Sequence, residues 1–122
     1  MHAADIAELL GNWDSADRAR VKEVVRASVR ALEEVAPGRS VELRVPPFIA
    51  VQVIEGPAHR RGTPKAVIEM DARTWLELVV GHLSWAEGLR SGRVRASGER
   101  ADLTPYLPLA VAGHGSYFPT DA

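Results

Sequence analysis

Apolar residues recur every three or four positions through the first part of the chain, which is the spacing of amphipathic helices. Residues 2–10 predict a short helix that Gly11 ends. A longer helix is predicted over about residues 15–35, where Asp14 or Ser15 is expected to accept hydrogen bonds from the free amides of the first turn. The buried stripe of this second helix is predicted to be Val21, Val24, Val25, Ser28, Leu32 and Val35.

The period of the pattern then changes to two, which is typical of half-buried strands. Strands are predicted at residues 41–45, 48–55, 66–70 and 93–97, all in one sheet. The second of these is apolar on both faces apart from Gln52, so it is expected to be a central strand. Charged side chains on one face are expected to face water, so that helices cover only the other face; these are Glu42, Arg44, Arg93 and Arg95.

A pair of helices is predicted between the third and fourth strands, over about residues 72–91. Asp71 is expected to cap the first of them, whose buried face is Leu76, Val79, Val80 and Leu83. Ser84 and Glu87 have the spacing of a capping box, in which each side chain bonds the other residue's backbone amide. The second helix is expected to end at Ser91, with Gly92 as the left-handed exit.

Composition narrows the class of protein. The chain of 122 residues is expected to form one domain, residues 1–122, with a loosely ordered tail at 113–122. A net charge of −1 argues against recruitment of nucleic acid or of an anionic membrane. Zero cysteines exclude disulfides, thiolate metal sites and cysteine catalysis. With no apolar run long enough to span a bilayer and no signal-peptide pattern at the start, we expect a cytoplasmic protein without stable membrane anchoring.

Candidate chemistry is sparse. The four histidines do not have the local spacing of metal ligands, and no nucleophile elbow or phosphate-binding loop occurs, so we expect no catalytic residue, no metal and no cofactor. The basic loop at residues 57–65 has three adjacent basic residues and no acid. His59, Arg60 and Arg61 could therefore hold a carboxylate or phosphate headgroup, or they could lie in a solvated loop.

A longer stretch resembles a known family. MDARTWLELVVGHLSWAEGLRSGRVRASGE, residues 70–99, is similar to the sterol carrier protein 2 family, in which an acidic cap, a helix, a G-x-L turn and a second helix precede S-G-R-[VL]-x-[VA]-x-G. VPPFIAVQVIEGPAHRRGTP, residues 45–64, suggests its bacterial branch. The resemblance covers about residues 15–107. The matching positions are Asp71, Trp75, Leu76, Gly81, Leu83, Gly92, Arg93, Val94 and Gly98.

The resemblance implies an α+β fold, with a mixed sheet of four to five strands covered on one face by helices. It leaves open whether a fifth strand is present, because the basic loop lies where the family commonly has a longer run of strands. It also implies a non-catalytic carrier that holds a lipid, sterol-like or fatty acyl ligand in an apolar tunnel between helices and sheet. The residues that could line such a tunnel are Ile49, Val51, Val53, Trp75, Leu76, Val79, Leu83, Trp85 and Leu89.

The same apolar residues could instead fill a plain core, since a void and a packed interior need the same side chains. The alternative is thus a structural or protein-interaction module without a lipid ligand, acting with a protein partner or as a homodimer. An exposed apolar patch around Trp13 or the C-terminal segment favours that alternative. A continuous cavity favours the carrier, and the identity of its ligand stays open.

Overall fold

The computed structural model describes residues 2–57 and 65–109, which form helices packed against one sheet. The α+β class is therefore confirmed. The helices are α1 (Ala3–Gly11), α2 (Arg18–Val35), α3 (Ala72–Val80) and α4 (Trp85–Ser91). The strands are β1 (Val41–Val45), β2 (Ile49–Val53), β3 (Ala66–Glu69) and β4 (Arg95–Ser97), and single 3₁₀ turns lie at Trp13–Ser15 and Thr104–Tyr106.

The sheet has four strands within the described residues, in the order β2-β1-β3-β4. β1 pairs antiparallel with β2 and parallel with β3, and β3 pairs antiparallel with β4, so the sheet is mixed as expected. The prediction that the four segments share one sheet is confirmed. The described part of the chain adds no fifth strand.

The position of β2 corrects the sequence-based prediction. It lies at the edge of the sheet, not in the centre, and it is shorter than the predicted 48–55. Ala50 is exposed and Ile49 is half-buried, which an edge strand permits. Ile54 is buried after the strand has ended: its φ is 68°, and its N–H donates to the Ala36 carbonyl at 2.8 Å. The apolar run thus includes a turn residue that reaches the core without belonging to the strand.

The two faces of the sheet differ in chemistry. On the inner face, Leu43 lies between Val51 and Ile68, and all three are buried. On the outer face, Glu42 and Arg44 point away from the helices, as predicted. α2 packs against β2, while α3 packs against α1 and α2. The hydrophobic core therefore lies between the helices and the inner face of the sheet.

The start of α2 differs from its prediction. Asp17, rather than Asp14 or Ser15, caps the helix, and its carboxylate accepts from the Ala19 N–H at 3.2 Å. The reason is local, because the chain first makes the 3₁₀ turn at Trp13–Ser15 and becomes helical only at Arg18. Asp17 is then the residue that directly precedes the first helical turn, where a side-chain acceptor reaches the free amides.

The connection from α3 to α4 largely follows its prediction. Asp71 caps α3 by accepting from the Thr74 N–H at 2.8 Å. Gly81 and Gly92 end the two helices with φ values of 83° and 80°. Ser84 caps α4 by accepting from the Glu87 N–H at 3.1 Å. The Glu87 carboxylate accepts from the Ser84 hydroxyl at 3.0 Å rather than from its amide, so the reciprocal half of the predicted capping box is wrong.

The approach to β4 also differs from its prediction. β4 begins at Arg95, and Arg93 does not face water from the sheet. The Arg93 Nε donates to the Thr74 hydroxyl at 3.1 Å, and the same guanidinium pairs with Glu77. Arg93 therefore ties the end of α4 to α3. Arg95 does point outward, where it pairs with Glu69 on the open face of the sheet.

Candidate functional site

The apolar residues predicted to line a tunnel fall into two groups. The first group lies deep between the helices and the sheet. Trp75, Leu76, Val79 and Val53 are wholly buried, and Val51 is 8% exposed. All five belong to one hydrophobic core. The structure thus brings these five of the nine predicted tunnel residues together in the core.

The indole of Trp75 is anchored within this core. Its Nε1 donates to the Ser28 hydroxyl at 2.8 Å, and that hydroxyl donates to the Val25 carbonyl at 2.9 Å. Ser28 and Trp75 are both fully buried, so this pair joins α2 to α3 without leaving a polar group unsatisfied. The interior is therefore packed and hydrogen-bonded at Trp75.

The second group lies at the rim of the core. Ile49 and Leu83 are half-buried, and Trp85 is 9% exposed. Leu89 is 43% exposed on α4, so its side chain does not contribute to the interior in this conformation. Val80 is also only half-buried, although its spacing predicted the buried face of α3. Apart from Ile49, which begins β2, the rim residues lie between the end of α3 and the end of α4.

α4 is a short segment between two glycines in the left-handed conformation, Gly81 and Gly92. Close packing holds it to the start of β4. A Cβ at Gly88 would lie 2.7 Å from the Val94 side chain, and the Val94 N–H donates to the Gly88 carbonyl at 2.9 Å. Only Trp85 and Gly88 are buried in α4. Few side chains therefore hold this helix over the core.

The predicted headgroup residues, His59, Arg60 and Arg61, lie outside the described residues. The first described residue after them is Lys65, whose ammonium lies 3.9 Å from the Glu42 carboxylate. His82 is exposed just beyond the end of α3.

Two open clefts lie away from the helix–sheet interior. The first, of about 210 Å³, is on the open face of the sheet around Arg44, Glu69 and Arg95. Its charges are already paired, because Glu69 contacts both arginines. The second, of about 360 Å³, is lined by residues 10–15 and Arg73. Sequence reasoning singled out Trp13 as a surface residue but gave no role to Arg73, which only the fold brings beside it.

The described residues offer no group of three or more histidine, cysteine or acidic side chains that could hold a metal ion. Within the same residues, none of the helices combines the length and the apolar character that a membrane crossing requires.

The comparison with protein families identifies the family of the chain. Residues 17–109 match the family described as bacterial SCP ortholog. The chain belongs to this family. The match spans α2 through β4 and continues past the turn at Thr104–Tyr106, so it includes the four strands and the helices α2, α3 and α4. The resemblance to a bacterial sterol carrier protein 2-like branch is thereby confirmed. No curated protein matches the chain.

Proposed function

We propose that this bacterial SCP ortholog is a non-catalytic carrier or binding protein for a hydrophobic small molecule, held between its helices and its sheet. The ligand class is a lipid, a sterol-like molecule or a fatty acyl chain. The proposed carrier acts in the cytoplasm.

The observation that carries the proposal is the family match over residues 17–109. It supports a lipid-carrier type of domain, and it covers the strands and helices whose apolar faces meet. Burial of apolar surface contributes roughly 25 cal/mol per Å², so an acyl chain needs an apolar slot and few polar anchors. Trp75, Leu76, Val79 and Val53 would supply that surface.

The packed interior implies that the ligand enters by displacing part of the protein. In the proposed mechanism, α4 swings outward about Gly81 and Gly92, because left-handed glycines flank it and few of its side chains are buried. Trp85 and Leu83 would then leave the core, and the ligand would take the space beside them. The contacts of Arg93 with Thr74 and Glu77 would fix the chain just beyond Gly92 to α3, and this would restrain the opening of α4 in the absence of ligand.

His59, Arg60 and Arg61 remain the proposed anchors for an anionic headgroup. Three adjacent basic residues with no acid in the loop give a local positive charge that suits a carboxylate or a phosphate. The chain of such a ligand would lie in the interior, and its headgroup would stay at the surface.

A specific observation favours the alternative function, a protein-interaction module with a filled core. The Trp75 indole is fully buried and hydrogen-bonded to Ser28, and the clefts around Arg44 and Arg73 lie elsewhere. In that case the apolar layer is a packed core, and function resides on the outer surface with a protein partner or a second copy of the chain.

Titration with a long-chain fatty acid separates the two functions. A carrier predicts saturable quenching of tryptophan fluorescence, and the Trp13→Phe, Trp75→Phe variant isolates the signal of Trp85 on α4. The matched control is the Trp13→Phe, Trp85→Phe variant, which reports Trp75 alone and is expected to respond less because its indole stays bound to Ser28. A filled core predicts no saturable change from either tryptophan, and that result would contradict the carrier.

A further inference from the structure

The cleft of about 360 Å³ between the α1–α2 connection and the start of α3 has features that the proposed carrier function does not use. Its walls are residues 10–15 and Arg73. Leu10 and Trp13 are half-buried and pack against the edge of the core. They give the cleft an apolar side that is partly open to solvent.

Two opposite charges line the same cleft without meeting. Asp14 and Arg73 are both exposed. Within residues 2–57 and 65–109, neither side chain makes a hydrogen bond or an ion pair. Arg44 and Arg95, by contrast, both pair with Glu69. Asp14 and Arg73 thus offer a hydrogen-bond acceptor and a set of donors beside an apolar wall.

We propose that this cleft binds a small zwitterion with an apolar side chain, in the chemical class of the apolar and aromatic α-amino acids. The Arg73 guanidinium presents paired donors that fit a carboxylate. Asp14 accepts from the ammonium group. The ligand's side chain lies against Leu10 and the Trp13 ring, which buries apolar surface on both molecules.

The cleft is open to solvent, and its volume of about 360 Å³ leaves room for a small molecule. An anion without a positive group would bind Arg73 but would be repelled by the Asp14 carboxylate. A cation without a negative group would bind Asp14 but would be repelled by the Arg73 guanidinium. A ligand with both charges avoids either repulsion, so the pair of residues selects against singly charged analogues.

The test uses the indole N–H signals of the ¹⁵N-labelled full chain, in which Trp13→Phe assigns the Trp13 signal. The probe is L-phenylalanine. It is compared with 3-phenylpropionate and 2-phenylethylamine, which each lack one of its charges. We expect a saturable shift of the Trp13 signal with L-phenylalanine, while the Trp75 signal stays in place. The two analogues should bind about tenfold more weakly, as expected for the loss of one charged hydrogen-bonding group.

Variants give a second line of test. Arg73→Gln and Asp14→Asn should each weaken binding of L-phenylalanine about tenfold. Arg90→Gln and Glu8→Gln are matched controls, because both side chains are exposed and neither lines the cleft, so they should leave binding unchanged. The proposal is overturned if L-phenylalanine gives no saturable shift, or if the analogues bind equally well. Since the analogue comparison uses the unaltered chain, it stands even if a variant fails to fold.

Discussion

The indole Nε1 of Trp75 donates a 2.8 Å hydrogen bond to the hydroxyl of Ser28, across 47 positions of sequence. The contact joins α3 to α2 at the centre of the core. The two helices are therefore joined inside the apolar core by a hydrogen bond as well as by packing.

Ser28→Ala is predicted to lower the free energy of unfolding by about 1–3 kcal/mol, because it leaves a buried indole N–H without an acceptor. Denaturant unfolding measures the change. The control is Ser15→Ala, since Ser15 is exposed and its hydroxyl bonds only the neighbouring Asn12 carbonyl. Equal stability of the two variants would show that the Ser28–Trp75 bond contributes little. Trp75→Phe should cost less in the Ser28→Ala background than in the unaltered chain, because there it also removes an unsatisfied donor.

Gly92→Ala tests whether the left-handed backbone at the end of α4 requires glycine. A Cβ there would contact nothing within 4 Å, so the whole cost comes from the backbone φ of 80°. We expect a loss of about 1–2 kcal/mol for a left-handed non-glycine residue. Gly11→Ala is the control, because its Cβ would also meet open space and its φ is not left-handed. Equal melting temperatures of the two variants would show that the left-handed backbone at Gly92 does not require glycine.

Ser84→Ala removes the cap of α4 and should lower stability by ~1 kcal/mol. Lipid affinity should hardly change, because the Ser84 side chain is exposed and lies outside the core. Calorimetric melting measures the first effect and ligand titration the second. A stability unchanged by this substitution would show that the cap contributes nothing to the folded state.

Arg93→Met tests whether α4 gates the interior. The change removes the bond to the Thr74 hydroxyl and the pair with Glu77. If α4 must open, the rate of fatty acid uptake in stopped-flow fluorescence should rise several-fold, with a smaller change in affinity. Arg90→Met is the control, because Arg90 lies within α4 itself and makes no such contact. An unchanged uptake rate would argue for entry at another place.

Charge reversal tests the proposed headgroup anchors. Arg60→Glu combined with Arg61→Glu should weaken binding of a fatty acid at least tenfold and leave a neutral sterol unaffected, because only the headgroup contact changes. Lys22→Glu with Arg26→Glu is a control of equal charge change on the exposed side of α2. A loss of affinity that is equal for both ligands, or equal in both variants, would speak against a headgroup site.

The sequence predicted those parts of the fold that depend on interactions between residues close together in the chain. Alternation placed β1 and β3 almost to the residue, and Asp71, Ser84 and Gly92 marked helix ends through hydrogen bonding and backbone geometry. It failed for β2, because apolar residues on two faces do not distinguish a central strand from an edge strand that runs into the buried turn at Ile54.

Long-range pairings were out of reach for another reason. Nothing local in the sequence relates Ser28 to Trp75 or Arg93 to Thr74, since each pair meets only when the helices pack. The candidate site could not be fully predicted for the same reason. Trp75, Leu76 and Val79 could be predicted as an apolar cluster, but the choice between a slot and a core depends on packing that residue type alone does not encode. The grouping of Asp14, Trp13 and Arg73 likewise follows from the fold.

The carrier function requires that the interior between helices and sheet accepts a hydrophobic ligand. Native mass spectrometry of the freshly purified full chain tests this requirement. A carrier should show a population with added mass, which dissociates on activation to release a lipid, sterol-like or fatty acyl molecule. Protein that carries no added mass, and that gains none after incubation with fatty acids or sterols, would contradict the carrier function.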